Sequence, residues 1–347
     1  QVDLRDRDRV GGKGYALSRM AREGLPVPKA LLITAEAYRS FILRTGIGES
    51  IALEINRKIV DQMRWEELWD AALRIRNLFL RTPLPEDIRG ELARDIESRF
   101  CGISVVVRSS APGEDSAKAS FAGLHESFVN VRGTESILDH VRLVWASLWS
   151  DAALLYRKEL GLDIATSAMA VVVQEIVAGE CSGVAFSVSP ENPSRSVIEA
   201  VHGLNQGLVD GTVEPDRWTL DRKTGQVLSH QPAAREKAVF AAASGVETLP
   251  VPAALAQSPP LAPEEVARIF EAALQVERFF GSPQDMEWTI RDGVLYLLQA
   301  RPVTAGEPSG GGDPRAWNLT LRRSFENLKA LREEVEGRVG PRRCPQG

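Results

Sequence analysis

A stretch near the end of the chain, residues 281–304, has the pattern of a β-hairpin and constrains the fold more than any other feature. Residues 285–290 alternate between polar and apolar side chains, with Asp285 and Glu287 on the polar side. Such alternation is typical of a strand with one buried face. The apolar run 294–300 predicts the return strand, and Asp292-Gly293 is a turn signal between the two.

The length of the turn decides which side chains of this hairpin share a face. A two-residue turn at Asp292-Gly293 would place Glu287 and Gln299 on opposite faces. A three-residue turn at 291–293, with Gly293 as a left-handed bulge residue, would place them on the same face. We predict the three-residue turn, which groups Asp285, Glu287, Gln299 and Arg301.

Two acids, a carboxamide and a guanidinium on one face suggest a site for a metal ion and phosphate. Carboxylate and carboxamide oxygens are ligands that Mg²⁺ accepts, and an arginine can bind phosphate through two N–H groups. The alternative is a solvated strand face with an incidental ion pair.

The composition excludes several classes of protein. The chain has 347 residues, 44% of them hydrophobic, and a formal net charge of −5, which predicts two or three globular units without an electrostatic surface for nucleic acid. No apolar run reaches the roughly 18 residues of a membrane span, and no signal peptide opens the chain, so we expect a cytoplasmic protein. Three widely spaced cysteines indicate neither a zinc site nor a disulfide framework.

Two segments in the first third of the chain have the composition of phosphate-binding elements. Gly11-Gly12-Lys13-Gly14 precedes a predicted helix at 15–23, where free N–H groups and an ammonium group suit an anion. A plain helix-capping loop is the alternative. Arg108 follows a buried strand predicted at 103–107, and the small residues at 119–123 predict either a phosphate-covering lid or a polar surface loop.

An apolar strand predicted at 169–176 carries Gln174 and Glu175 near its end and continues into a short polar linker. A hydrophobic strand that leads into such a linker is typical of a cleft that binds a purine ring. The glycine-spaced segment Gly203 to Gly211 indicates a loop without an evident role.

These motifs, in this order, resemble the nucleotide-binding domain of the phosphoenolpyruvate synthase and pyruvate phosphate dikinase family. The resemblance extends from about Val10 to Thr304. Besides the hairpin and the glycine-lysine segment, it depends on Gly24-Leu25-Pro26-Val27-Pro28, Val107-Arg108-Ser109-Ser110, Ser120-Phe121-Ala122-Gly123, Trp145-Ala146-Ser147-Leu148, Tyr156-Arg157, Gln174-Glu175 and Ser182-Gly183-Val184-Ala185-Phe186. One departure is Leu124, where many members have glutamine.

The resemblance implies an α+β, ATP-grasp-like fold with ATP and Mg²⁺ bound between two lobes. The lobes would comprise residues 1–168 and 169–305, followed by a linker and charged helix at 306–347. The implied phosphate-binding residues are Lys13, Arg108 and Arg301, covered by Ser120, Phe121, Ala122 and Gly123. The implied adenine-binding residues are Gln174, Glu175, Ile176 and Val177, and the implied Mg²⁺ ligands are Glu287 and Gln299, supported by Asp285.

The resemblance also implies a partner. Members of the family pass phosphate from ATP to a histidine on a swivelling domain, a few residues after a Thr-Gly-Gly element, and then to an acceptor. None of the four histidines in this sequence, His125, His140, His202 and His230, has that context. We therefore expect the phosphohistidine domain on a longer form of the chain or on another subunit.

The acceptor and the activity stay open at the level of sequence. The acceptor could be pyruvate, an antibiotic hydroxyl as in rifampin phosphotransferase, or phenol as in phenylphosphate synthase. A non-catalytic nucleotide sensor and an ATP-grasp ligase that forms an acyl phosphate are the alternatives from other classes.

Overall fold

Two antiparallel sheets carry the fold of the part of the chain that the structure describes. The computed structural model describes residues 6–58, 63–112, 115–116, 119–120, 126–159 and 167–303, with the backbone alone at 115–116, 119–120 and 158–159. All of these residues belong to one unit that ends at Thr304. The tail predicted at 306–347 lies outside the described residues.

The first sheet has four strands and the second has six. In spatial order, the first consists of β1 (Ala30–Ile33), β6 (Ala170–Glu175), β2 (Val105–Ser110) and β5 (Ser127–Val131). The second consists of β10 (Val227–Gln231), β9 (Asp216–Asp221), β8 (Arg195–His202), β7 (Cys181–Phe186), β13 (Gln284–Arg291) and β14 (Val294–Pro302). Two further two-stranded sheets are β3 (Asp115–Ser116) with β4 (Ala119–Ser120), and β11 (Lys237–Ala241) with β12 (Val246–Pro250).

Helices pack around both sheets. They are α1 (Arg7–Arg22), α2 (Ala35–Thr45), α3 (Ile47–Asn56), α4 (Trp65–Arg81), α5 (Glu86–Phe100), α6 (Thr134–Ser147), α7 (Asp151–Glu159), α8 (Gln206–Val209), α9 (Ala253–Ala256) and α10 (Pro263–Phe280). No helix in the described ranges combines the length and the hydrophobicity that a membrane span requires.

Alternation of side chains gives the first sheet two different buried faces. Val107 lies opposite Val173, and both belong to the core that also contains Trp145 of α6. The next residue along each strand points to the other face, where Arg108 lies opposite Val172. The valine-rich β6 is buried on both faces, which explains why its sequence is continuously apolar rather than alternating.

The second sheet packs one face against α10. Met286, Trp288 and Ile290, the apolar set of the predicted strand, share a core with Ile269 and Val276 of this helix. Helix α10 begins at a proline and is followed by Gly281, which has a left-handed φ of 75°; proline at the first position and glycine after the last are typical of helix ends. The opposite face of the sheet is left for polar side chains.

Helix α1 packs against both sheets, each of which forms the core of one lobe, and it contains a kink at Gly11. It contacts β2 and β6 of the first sheet and β14 of the second. The prediction of a glycine loop that precedes a helix at 15–23 is wrong. The glycines lie within helix α1, which begins at Arg7 and is interrupted at Gly11, with φ 70° and ψ 175°. The Ser110 hydroxyl donates to Val10 O at 2.6 Å and accepts the Gly14 N–H at 3.0 Å, so it satisfies backbone groups that the kink exposes.

The fold is α+β, with a cleft between the two sheets, which agrees with the ATP-grasp-like arrangement that the resemblance implies. Strand β6 lies in the first sheet and leads into the linker 174–177, where the chain passes from one sheet to the other. The division into lobes at 168/169 stays a prediction.

Substitution of Gly11 by alanine should destabilise the protein more than the same change at Gly24. Both glycines have positive φ, 70° and 74°, but a Cβ at Gly11 would lie 2.0 Å from Ser110 O, whereas a Cβ at Gly24 meets nothing within 4 Å. A sparsely populated backbone conformation with positive φ alone costs an alanine about 1–3 kcal/mol. We expect Gly11→Ala to cost a further ~1–3 kcal/mol, since backbone must shift. Equal melting temperatures for the two variants would contradict this docking of α1 on β2.

Candidate functional site

The hairpin β13–β14 places the predicted polar residues on one face, by a different route from the one expected. Glu287 lies directly opposite Gln299, and Asp285 lies opposite Arg301. Because residues directly opposite in a ladder share a face, as do residues two apart, these four side chains project together. The same-face prediction is therefore confirmed.

The predicted three-residue turn is wrong. Arg291 pairs with Val294, so the loop is the two-residue turn Asp292-Gly293, with φ of 49° and 72°. Both residue types tolerate left-handed φ, and such a turn matches the twist of the strands. The extra residue is Leu298, because Glu287 pairs with Gln299 while Trp288 pairs with Leu297. This bulge shifts the register by one and restores the shared face.

Arg108 meets the hairpin from the other lobe. Its Nη2 lies 3.4 Å from Oε2 of Glu287, and each side chain is only 15% exposed. The Arg108 Nε is buried and makes no hydrogen bond to any described residue. A guanidinium and a carboxylate from different sheets therefore face each other in the cleft, with a donor of the guanidinium still available.

The other polar residues of the hairpin differ in their partners. Arg301 Nε donates to Asp285 Oδ2 at 2.8 Å, and Asp285 is buried. Gln299 is only 2% exposed, and its carboxamide oxygen is buried without a hydrogen-bond partner among the described residues. A buried acceptor of this kind is costly unless a ligand or water satisfies it.

The linker 174–177 lines a cavity of about 210 Å³ between the sheets. Gln174 Nε2 donates to the carbonyl of the bulged Leu298 at 3.3 Å, which connects the two lobes. The N–H groups of Glu175 and Ile176 donate to Lys29 O and Ser104 O. The described residues around the cavity are Val106, Arg108, Ser127, Val129, Gln174, Glu175, Ile176, Val177, Ser182, Leu204, Asn205, Gln206, Val209, Asp210, Glu287 and Leu298.

The structure describes Lys13 and the backbone of Ser120, but not the rest of the predicted lid. Lys13 is half-buried on α1, next to Gly14, whose N–H is bound by Ser110 on the strand that carries Arg108. The backbone of Ser120 pairs with that of Asp115 in the small hairpin. Phe121, Ala122 and Gly123 lie outside the described residues.

Two cavity residues, Asn205 and Gln206, were missed by the sequence analysis. Both side chains carry buried polar atoms without partners among the described residues. Their segment was read only as a glycine-spaced loop. The signal that could have found them is the polar Asn-Gln pair between Leu204 and Gly207, in a segment that otherwise consists of apolar residues and glycine from 203 to 209.

A further acid, Glu199, lies on the same face as the predicted metal ligands. The sheet register aligns Glu287 with Val184, and Val184 with Glu199. Burial raises the pKa of Glu199 above its ordinary value, the charge of Asp285 adds to this, and Arg217 opposes it. This face of the sheet therefore disfavours the charged form of Glu199.

Comparison with known proteins identifies similar sequences. The family described as "Pyruvate phosphate dikinase, AMP/ATP-binding domain" matches residues 7–313. The chain is 34% identical to a probable phosphoenolpyruvate synthase of Methanocaldococcus jannaschii, over 98% of this chain and 28% of that protein. It is 36% identical to a probable phosphoenolpyruvate synthase of Methanothermobacter thermautotrophicus, over 85% of this chain and 44% of that protein. It is 34% identical to a rifampicin phosphotransferase of Streptomyces sviceus, over 85% of this chain and 34% of that protein. The chain thus spans less than half the length of each relative.

Replacement of Glu199 by glutamine should stabilise the protein increasingly as pH rises from acid to neutral. A raised pKa in the folded state means that the native protein holds a proton that the unfolded chain has released. The wild-type free energy of unfolding therefore falls relative to that of Glu199→Gln as pH rises from about 4.5, the ordinary pKa of glutamate. Melting temperatures of wild type and Glu199→Gln, measured over this pH range without nucleotide or metal, check this prediction. A difference between the two melting temperatures that stays constant with pH would contradict it.

Proposed function

The chain belongs to the family of pyruvate phosphate dikinase AMP/ATP-binding domains, and from this premise we propose that it binds ATP with Mg²⁺ and donates a phosphoryl group from it. The observation that carries the proposal is the shared face of Glu287 and Gln299, with Arg108 against it and the linker 174–177 in the same cavity wall. We call the end of the cleft with Glu287 and Gln299 the metal end, and the end with the linker 174–177 the base end.

Glu287 and Gln299 fit Mg²⁺ as two oxygen ligands. Their backbones lie directly opposite each other, and the Gln299 carboxamide oxygen is buried without a described partner. No group of three or more His, Cys, Asp or Glu residues in the described part of the chain could hold a metal ion. Mg²⁺ suits such a sparse set, because it is commonly held by one or two protein oxygens together with substrate phosphates and water. When bound, Mg²⁺ would neutralise charge that develops on the transferring phosphoryl group.

Lys13, Arg108 and Arg301 would hold the phosphates. Arg108 forms an ion pair with Glu287, and Arg301 forms one with Asp285. With nucleotide bound, the Arg108 guanidinium would bind phosphate, and Glu287 would be free to ligate the metal. Positive groups in a cleft shielded from water stabilise the charge of a phosphoryl-transfer transition state. Ser120 to Gly123 would cover the phosphates from the lid.

The linker 174–177 would bind adenine. The N–H groups of Glu175 and Ile176 are already used within the first lobe. A backbone donor from this linker to the base would therefore come from Val177. Apolar side chains such as Val106, Val129 and Leu298 would enclose the ring.

The phosphoryl group would pass to a histidine outside this sequence. None of the four histidines follows a Thr-Gly-Gly element, and the chain spans 28–44% of the relatives described above. Phosphoenolpyruvate synthases and a rifampicin phosphotransferase are similar to this chain at nearly the same identity. These similarities therefore support a role as phosphoryl donor. They do not indicate whether the final acceptor is pyruvate, an antibiotic or another compound.

Glu287→Gln should weaken Mg²⁺-dependent binding of ATP by at least about tenfold, equivalent to about 1.4 kcal/mol. The variant loses a charged oxygen ligand while keeping the shape of the side chain. Glu271→Gln, on an exposed position of α10, is the matched control and should bind like wild type. Isothermal titration calorimetry with and without Mg²⁺ measures both. Absence of binding to wild type at millimolar nucleotide would contradict the proposed function.

Lys13→Ala should slow phosphoryl transfer far more than it weakens ATP binding. We propose that the Lys13 ammonium stabilises the negative charge that increases on the phosphates during transfer. The variant would leave the contacts between the protein and adenine unchanged. Labelled ATP and a protein fragment that carries the Thr-Gly-Gly element and its histidine measure transfer, and calorimetry measures binding. Equal losses in both would contradict the assigned role, and binding by wild type without transfer to the fragment would favour a nucleotide sensor.

A further inference from the structure

Asn205 is a buried side chain that hydrogen bonding within the described part of the chain does not explain. It is 8% exposed and lines the cavity between the lobes. Neither its Nδ2 nor its Oδ1 has a hydrogen-bond partner among the described residues. A buried carboxamide with both a donor and an acceptor unused is rare in folded proteins.

A role in capping α8 does not account for this side chain. Asn205 precedes that helix, where asparagine commonly caps through its side-chain oxygen. Here its backbone is itself helical, with φ −64° and ψ −14°, and its side chain makes no capping bond. Only its backbone carbonyl serves the helix, by accepting the N–H groups of Leu208 and Val209. The side-chain amide therefore has no partner among the described residues, and its residue lines the cavity.

The strand register places Asn205 at the linker end of the cleft. Glu199 aligns with Glu287 through Val184, which marks the metal end on β8. Gly203 lies four residues further along, a distance of about 13 Å in an extended strand. There its N–H donates to Glu180 O, just after the linker. Asn205 therefore lies toward the base end of the cavity rather than its phosphate end.

We infer that Asn205 pairs with the N6/N7 edge of adenine, an inference that rests on the proposed binding of ATP. The carboxamide Nδ2 would donate to N7, and Oδ1 would accept from the N6 amino group. An asparagine side chain matches this edge of adenine with two hydrogen bonds. Guanine presents two acceptors on the same edge, so its O6 would oppose Oδ1. Asn205 thus selects adenine over guanine, and the unpartnered Oε1 of Gln206 provides a neighbouring acceptor.

The test compares ATP with 7-deaza-ATP, which has a C–H group in place of N7, by calorimetry on the full chain with Mg²⁺. Wild type should bind 7-deaza-ATP about tenfold more weakly than ATP, as expected for loss of one buried hydrogen bond. Asn205→Leu should bind both nucleotides with the same reduced affinity. Asn56→Leu, at an exposed position of α3, is the control and should keep the wild-type ratio.

A second variant keeps the inference testable if Asn205→Leu does not fold. Asn205→Asp has only acceptors when ionised, so it would repel N7 and should prefer 7-deaza-ATP to ATP. The inference is wrong if wild type binds the two nucleotides equally, or if Asn205→Leu keeps the discrimination. It is also wrong if 2′-deoxy-ATP, rather than 7-deaza-ATP, loses affinity in a manner that depends on Asn205, because the side chain would then contact ribose. If wild type binds no ATP at all, the proposed function itself fails.

Discussion

In the β13–β14 hairpin, Leu298 is the extra residue that brings Gln299 opposite Glu287. Without this bulge, the two-residue turn at Asp292-Gly293 would pair Glu287 with Leu298, and the carboxamide of Gln299 would turn toward the α10 core. The carbonyl of Leu298 accepts a hydrogen bond from Gln174 of the other sheet, which stabilises the bulge. One local irregularity thus orients the polar face and attaches it to the opposite lobe.

A second attachment positions the cationic side of the cleft. Ser110 bonds the backbone of α1 on both sides of the kink at Gly11, and Arg108 lies two residues earlier on the same face of β2. The same strand therefore orients the arginine and anchors the helix that carries Lys13. Because α1 also packs on β14, movement of one lobe against the other would disturb all three elements.

Two ion pairs line the polar side of the cleft. Arg108 pairs with Glu287 and Arg301 with Asp285, and these four side chains are shielded to different degrees. A partly buried charge is tolerated only with a partner, so each pair keeps its members in place. Under the proposed function, Arg108 and Arg301 would exchange their carboxylate partners for phosphate, and Glu287 would exchange Arg108 for Mg²⁺. That exchange makes the site depend on nucleotide and metal together.

The sequence by itself determined the features that depend on local pattern: the alternation of 285–290, the continuous apolar run of β6, and the ordered motifs of the family. It could not determine the bulge at Leu298, because the residue whose side chain bonds the Leu298 carbonyl, Gln174, is distant in the chain. The kink at Gly11 likewise depends on Ser110. Only the tertiary structure decided that Asn205 and Gln206 reach the cavity, since β8 and α8 orient them and no periodicity within their own segment does.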